Sequence, residues 1–294
     1  MCMSLFFCTF AAAKVFYGMS RNCFFIGLVV LTVCILTSCE PAEEPIAYWY
    51  PKKQLVEEFV SQYCGYCPGG MQAVHNYTHG DSSFIVISHH YGFQTDHFSA
   101  KGGGVISTDL KVNGTPSICI NRDRTKYTNR QSAIVFSPSY LTSTKKDQFD
   151  DRAFGCVDIV NTYNASTRRL SVQVSGRVSP YLDSPLRLSV LIKESGMIDI
   201  QKDYSTTNGW KEYRHVDAVR VFLTDAAGEE VDITSHRFSA KYTYVLDDNW
   251  IPENCMVVAF ISEGFQPIVN VDQQPVIKGS HGGSEFAPEG ITLK

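Results

Sequence analysis

Phe59-Val60-Ser61-Gln62-Tyr63-Cys64-Gly65-Tyr66-Cys67-Pro68 is the stretch on which the reading of this chain turns. Taken alone, a Cys-x-x-Cys is weak, because it fits zinc sites, structural disulfides and redox pairs. Its surroundings sharpen it. The run from Gln54 to Tyr63 reads as a strand leading into the first Cys. Residues from Cys67 to Tyr77 read as a helix, with Pro68 in its first turn, where the missing N–H costs nothing. Gly69 and Gly70 weaken that helix locally. A helix N-terminus presents free N–H groups and the positive end of the dipole, and both favour a thiolate. Cysteines in such places have pKa values depressed to roughly 3.5–7.5. By position, Cys64 is the exposed attacker and Cys67 the resolving thiol, shielded by the helix turn.

Working outward, Phe84 to His89 is a short apolar run of the kind a buried parallel strand needs. Residues 92 to 111 are Gly-rich and partly helical. Ser117 to Asn121 reads as a strand, Asp123 to Lys126 as a turn, and Ser139 to Arg152 as a polar helix. This alternation predicts an α/β domain over residues 46–153. Past residue 153 the strand-like runs Cys156–Val160, Leu170–Val174, Leu186–Ile192, Ala218–Leu223, Glu230–Ile233, Lys241–Leu246, Met256–Ile261 and Val269–Val276 follow one another without a helical period. Short strands at this spacing predict an all-β, immunoglobulin-like sandwich over 154–294.

A second element bears on the cysteines. Val112-Asn-Gly-Thr115-Pro116-Ser-Ile-Cys-Ile120 puts a Pro directly before an apolar strand, 49 residues after Cys67. With the strand, the Cys-x-x-Cys and the helix, this resembles the thioredoxin superfamily. The resemblance implies that Pro116 is a cis-Pro lying against the redox pair, and that the backbone of Thr115 pairs with an extended substrate chain. It also implies that Glu58, six residues before Cys64, is a buried acid that moves protons for the resolving thiol. The plainer alternative is that Glu57 and Glu58 both face solvent. Two departures stand out: Tyr63 replaces the usual Trp, and Gly65-Tyr66 replaces Gly-Pro. The residues between the cysteines tune reduction potential, so its value is left open.

The N-terminus carries targeting information. Arg21 precedes Cys23-Phe-Phe-Ile-Gly-Leu-Val-Val-Leu-Thr-Val-Cys-Ile35, an uncharged run too short to span comfortably as a membrane helix. Residues 1–38 therefore read as a signal peptide, with Met19 the better translation start. The run ends in Leu36-Thr37-Ser38-Cys39, which resembles the bacterial lipobox and makes Cys39 the lipidated residue. Residues 39–45 are an acidic, Pro-rich tether, whose acids resemble a surface-export signal of Bacteroides-type lipoproteins; a tether with no sorting role is the alternative. The mature chain holds 24 basic and 30 acidic residues. No basic patch stands out, so nucleic acid is not an expected partner.

Taken together, the lipobox, Tyr63-Cys-Gly-Tyr-Cys-Pro-Gly-Gly70, Gly114-Thr-Pro-Ser117, Ile120-Asn-Arg122 and Lys211-Glu-Tyr-Arg-His-Val-Asp-Ala-Val-Arg220 resemble the twenty-eight-kilodalton outer-membrane-protein-related lipoproteins of Bacteroides-type bacteria. That resemblance implies an outer-membrane or cell-surface location with a lipid anchor.

Ten cysteines occur, and five remain past Cys39: Cys64, Cys67, Cys119, Cys156 and Cys255. The odd total leaves at least one thiol free or paired outside the chain. Cys119 reads as a buried strand residue, and a bridge between Cys156 and Cys255 stays open. His89 and His90 end a strand on the edge where Cys64 lies, so with the cysteines they can be drawn as a copper or zinc site; a polar strand end or a thiolate-tuning role is the simpler reading, and no metal or other cofactor is expected. His215 and His236 have no evident partner. Two function classes follow. One is a membrane-tethered thiol–disulfide oxidoreductase acting on thiols or disulfides of exported proteins. The other is a binding or adhesion lipoprotein in which Cys64–Cys67 is a structural staple.

Overall fold

The computed structural model describes residues 45–91, 95–123 and 134–291. Cys39 and the signal segment lie outside the described residues, as does most of the turn expected after Asp123. The chain enters through strand β1 (Tyr50–Pro51) and continues into β2 (Gln54–Val60), helix α1 (Cys67–Thr78), β3 (Phe84–His90), helix α2 (Gly103–Asp109) and β4 (Ser117–Ile120). Then come β5 (Arg152–Ala153), β6 (Asp158–Asn164), β7 (Arg169–Arg177), β8 (Leu186–Glu194), β9 (Met197–Lys202), β10 (Trp210–His215), β11 (Ala218–Phe222) and β12 (Glu229–Val231). The last four strands are β13 (Arg237–Val245), β14 (Cys255–Glu263), β15 (Ile268–Pro275) and β16 (Glu289–Gly290). Among the described residues no helix is long and apolar enough to cross a membrane.

The main sheet has eight strands in the order β15-β14-β8-β11-β3-β2-β4, with β12 beside β8. Strand β2 lies inside it, parallel to β3 and antiparallel to β4. The sheet crosses residue 153 without a break: β11 runs parallel to β3 at Ala218–Ser88 and antiparallel to β8. It also curls until its far edge returns to β2. The Ile268 N–H donates to the Asn121 carbonyl at 2.8 Å, and the Lys53 N–H donates to Asn270 Oδ1 at 3.0 Å. Leu55, Ile85, Ile87, Leu191, Val258 and Phe260 fill the concave side. Residues 46–294 thus form one compact unit.

A second sheet, in the order β13-β7-β6, covers the β8 and β14 part of the first. The alternating apolar positions of β7, Leu170, Val172 and Val174, pack with Val190, Ile192, Val257, Ala259 and Ile261, as alternation on a half-buried strand requires. A third, three-stranded sheet joins β16, β10 and β9.

One expectation needs correction, and one open alternative closes. The polar helix over Ser139–Arg152 is instead two 3₁₀ turns, Pro138–Ser143 and Lys146–Gln148. Its hydroxyls bond their own backbone: Thr142 to Ser139 O, Ser143 to Tyr140 O and Thr144 to Tyr140 O. Such local bonds compete with the α-helical ladder. Cys156 and Cys255 are not bridged, since both are free thiols; Cys255 is buried at the head of β14, while Cys156 accepts a hydrogen bond from Arg177 Nε. The β9–β10 hairpin has no counterpart among the strand-like runs of the sequence.

Candidate functional site

Strand β2 stops at Val60, and three residues carry the chain to Cys64. The Cys64 N–H closes this turn on the Ser61 carbonyl at 3.1 Å. Helix α1 then begins at Cys67, with Pro68 in its first turn. Cys64 and Cys67 are joined by a disulfide, with Cα atoms 5.4 Å apart. Cys64 is half-buried and Cys67 fully buried, packed with Val60, Met71 and Tyr213. This is the asymmetry that an attacking and a resolving sulfur require.

The Thr115–Pro116 peptide is cis. Pro116 meets the first turn of α1 at Gly70, where an added Cβ would stand 2.6 Å from Pro116 Cβ. A side chain at Gly70 would therefore push the loop off the helix. Thr115 and Cys64 line one cleft of about 280 Å³, together with Tyr63, Tyr66 and Tyr204.

Both carboxylates of β2 are buried, so the solvated alternative for Glu57 and Glu58 is wrong. The physical reason is that β2 is interior to the sheet and covered on both faces. Successive side chains point to opposite sides, and the two acids meet different environments. Glu58 shares its face with Val60, which packs on Cys67. It accepts a hydrogen bond from Ser88 Oγ at 2.5 Å, and its other oxygen has no hydrogen-bond partner. Burial outweighs the Ser88 bond and the Lys193 charge, and with the negative charge of Asp217 pushes the Glu58 carboxyl up to about 8. Glu57 points to the concave side. Burial raises it too, but Arg122 outweighs that with its charge and two hydrogen bonds at 2.7 and 2.9 Å, helped by His89 at 3.0 Å. Glu57 is held well below the usual carboxylate range. Arg122 reaches it because Asn121 and Arg122 both adopt left-handed backbone, at φ 53° and 48°. Its guanidinium lies over the Phe260 and Phe265 rings.

The β9–β10 hairpin closes the other side of the site. The Gln201 carboxamide donates to the carbonyls of Ser61 at 3.1 Å and Cys64 at 3.0 Å. The Lys202 N–H donates to Gln62 O at 2.8 Å and the Tyr204 N–H to Gly65 O at 3.1 Å. The Tyr204 ring rests on Gly65, where an added Cβ would stand 2.6–2.8 Å from three ring atoms. Gln62 ties the hairpin to the neighbouring turn: its Nε2 donates to Ile200 O at 2.9 Å, and its Oε1 accepts from the His97 N–H at 3.1 Å.

Of the sequence-identified residues, Cys64 and Thr115 line one cleft, Cys67 is bonded to Cys64 from the buried side, Pro116 sits against α1 at Gly70, and Glu58 lies buried on the β2 face that Val60 shares. The histidines do not join them. His89 turns to Glu57 on the concave side, while His90 Nδ1 bonds Asp96 at 3.1 Å. The two thus serve opposite faces of one strand, and the copper or zinc drawing with the cysteines is not formed. Among the described residues no group of three metal-ligating side chains assembles. His215 is buried beside His90 and Phe98, and burial with the neighbouring His90 lowers its pKa to about 3. The residues missed are Gln201, Tyr204 and Tyr213. Tyr213 falls in the stretch singled out from Lys211 to Arg220. The alternation Ile198-Asp199-Ile200-Gln201 was a strand signal, masked by the polar turn that follows it.

A sequence-family profile described as outer membrane protein Omp28 matches residues 106–280, more than half of the chain. Among solved structures, HBP35 of Porphyromonas gingivalis is similar, with a TM-score of 0.63 and 22% identity over 83% of this chain and 80% of that one. At that identity the likeness is one of fold. No curated protein matches the sequence.

Proposed function

The chain belongs to the Omp28 outer membrane protein family, and from that premise we propose a lipid-anchored thiol–disulfide oxidoreductase acting on exported proteins. The observation that carries the reading is the single cleft in which half-buried Cys64, disulfide-bonded to buried Cys67, faces Thr115. In this reading residues 46–153 are a thioredoxin-like domain, supported by the order β2-α1-β3-α2-β4 with the cysteines at the head of α1. Residues 154–294 are an immunoglobulin-like sandwich fused to it through the shared sheet, and Cys39 carries the lipid.

The chemistry needs no further group. A substrate thiolate attacks Cys64 Sγ; the new S–S bond forms as Cys64–Cys67 breaks, and Cys67 leaves with the electron pair. A second substrate thiolate then attacks the substrate sulfur and expels Cys64. The substrate dithiol loses two electrons and two protons, and the cysteine pair gains them. The reverse sequence reduces a substrate disulfide. Glu58, with its carboxyl titrating near neutrality, is suited to hand a proton to Cys67 or take one from it. The α1 N-terminus stabilises the Cys64 thiolate.

The staple reading draws on one observation, the hairpin hydrogen-bonded over the disulfide. The reduction potential separates the two. Structural disulfides lie below about −300 mV and cycling ones above. We expect a potential above that line, turnover of insulin disulfides with dithiothreitol as reductant, and capture of exported proteins on Cys64 in a Cys67→Ser variant. A potential below it with no turnover leaves the staple.

A further inference from the structure

Part of the wall of the cleft is supplied by a residue that the sulfur exchange does not require. Tyr204 reaches the site from the turn between β9 and β10, far along the chain from the cysteines. Its ring lies on Gly65, between the two sulfurs in sequence, and meets Tyr66 edge-to-face at 4.9 Å between ring centres. Its backbone is pinned by the bond to Gly65 O. The ring is nonetheless 56% exposed, and Tyr66 is 70% exposed. Two large aromatic faces thus stand in water beside a half-buried sulfur, held in place by backbone hydrogen bonds and by the absence of a side chain at Gly65.

The lining states what can enter. Tyr63, Tyr66 and Tyr204 supply apolar surface with polar tips, Ser61 and Thr115 add hydroxyls, and Cys64 contributes its sulfur; among the described residues no charged side chain lines this cleft. Lys202 lies outside the lining, its ammonium 5.2 Å from the Tyr204 ring centre. A carboxylate brought here loses water and meets hydroxyls but no cation in the lining to balance its charge. An aromatic or aliphatic side chain instead buries its surface against preorganised rings, without the cost of ordering them.

We propose that Tyr204 is the specificity-determining residue of the Cys64–Cys67 site, selecting polypeptide segments with an apolar side chain beside their cysteine over acidic segments. The proposal rests on the thiol–disulfide reading above.

The test uses the mature chain with Cys67→Ser and Cys156→Ser, leaving Cys64 as the accessible thiol. Two blocked peptides, Gly-Phe-Cys-Phe-Gly and Gly-Glu-Cys-Glu-Gly, are presented as mixed disulfides with thionitrobenzoate. The Cys64 thiolate attacks the peptide sulfur, a new S–S bond forms, and thionitrobenzoate leaves with the electron pair and is read by absorbance. With Tyr204 present, the Phe peptide reacts about tenfold faster than the Glu peptide, an ordinary ratio for one buried apolar contact. Tyr204→Ala brings the ratio to within about twofold of that of the peptides with free cysteine, and Tyr204→Phe keeps it. Gly65→Ala, which displaces the ring without removing it, lowers the ratio as well. A ratio that is the same with and without the ring overturns the proposal. Insulin turnover by the wild type with an unchanged ratio removes the selector and leaves the oxidoreductase. A ring-dependent ratio without turnover removes the oxidoreductase and leaves a peptide-binding cleft.

Discussion

Gly70 and Pro116 touch with no space between them: a Cβ on Gly70 would stand 2.6 Å from the Cβ of Pro116 and 2.7 Å from its Cγ. Gly69, its neighbour on α1, has nothing within 4 Å of the same construction. The pair makes a signed prediction. Helix propensity alone favours Ala over Gly by about 1 kcal/mol at either position. Gly69→Ala should therefore stabilise by up to about 1 kcal/mol. Gly70→Ala should destabilise by roughly 1–2 kcal/mol, because overpacking a tight contact outweighs propensity. Urea denaturation of both variants is the check. Equal stabilisation by the two would mean that Pro116 yields freely.

Glu58 predicts a pH dependence. Its carboxyl is pushed up to about 8 in the folded chain from an ordinary 4.5. Between those values the folded state holds a proton that the unfolded state has lost, so stability falls as pH rises through this window. Each unit of separation corresponds to about 1.4 kcal/mol. Glu58→Gln keeps the shape without the charge and should flatten the fall, leaving the variant the more stable of the two at pH 8.5 and comparable at pH 4.5. Parallel urea midpoints across that range would show that Glu58 is ionised when folded.

Arg122 and Glu57 form a buried, doubly hydrogen-bonded pair. Removing one partner strands the other charge, so Arg122→Met should cost about 3–5 kcal/mol. Arg122→Met with Glu57→Gln should cost clearly less than the two single changes together. A double-mutant cycle in urea measures this, and strict additivity would mean that the two groups do not interact.

Cys39 predicts the anchor. Two or more acyl chains hold a protein on a membrane where one binds only marginally. Cys39→Ala should move the protein from the membrane fraction to the soluble one. Intact mass of the membrane-extracted wild type should show a diacylated residue 39, and an unmodified one would refute the assignment.

The local chemistry was readable from the chain. Cys64 and Cys67 at the head of a helix, Pro116 before a strand, and apolar alternation from Leu170 to Val174 depend on near neighbours in sequence, and each took the expected form. The helix expected over Ser139–Arg152 failed locally, because its hydroxyls found nearer carbonyls than the helical ladder offers. What tertiary structure alone decided is which surface each face of β2 meets. Glu57 and Glu58 are adjacent and chemically alike, yet one is held ionised by Arg122 and the other is pushed towards its neutral form. Alternation sends them to opposite faces, but the partners waiting there come from β3, from Arg122 just past β4, and from Lys193 and Asp217 more than a hundred residues away. The same holds for Tyr204 over Gly65. A hairpin's reach to a distant loop is set by how the sheet curls and by which backbone groups it leaves unpaired, and no local period in the sequence records that.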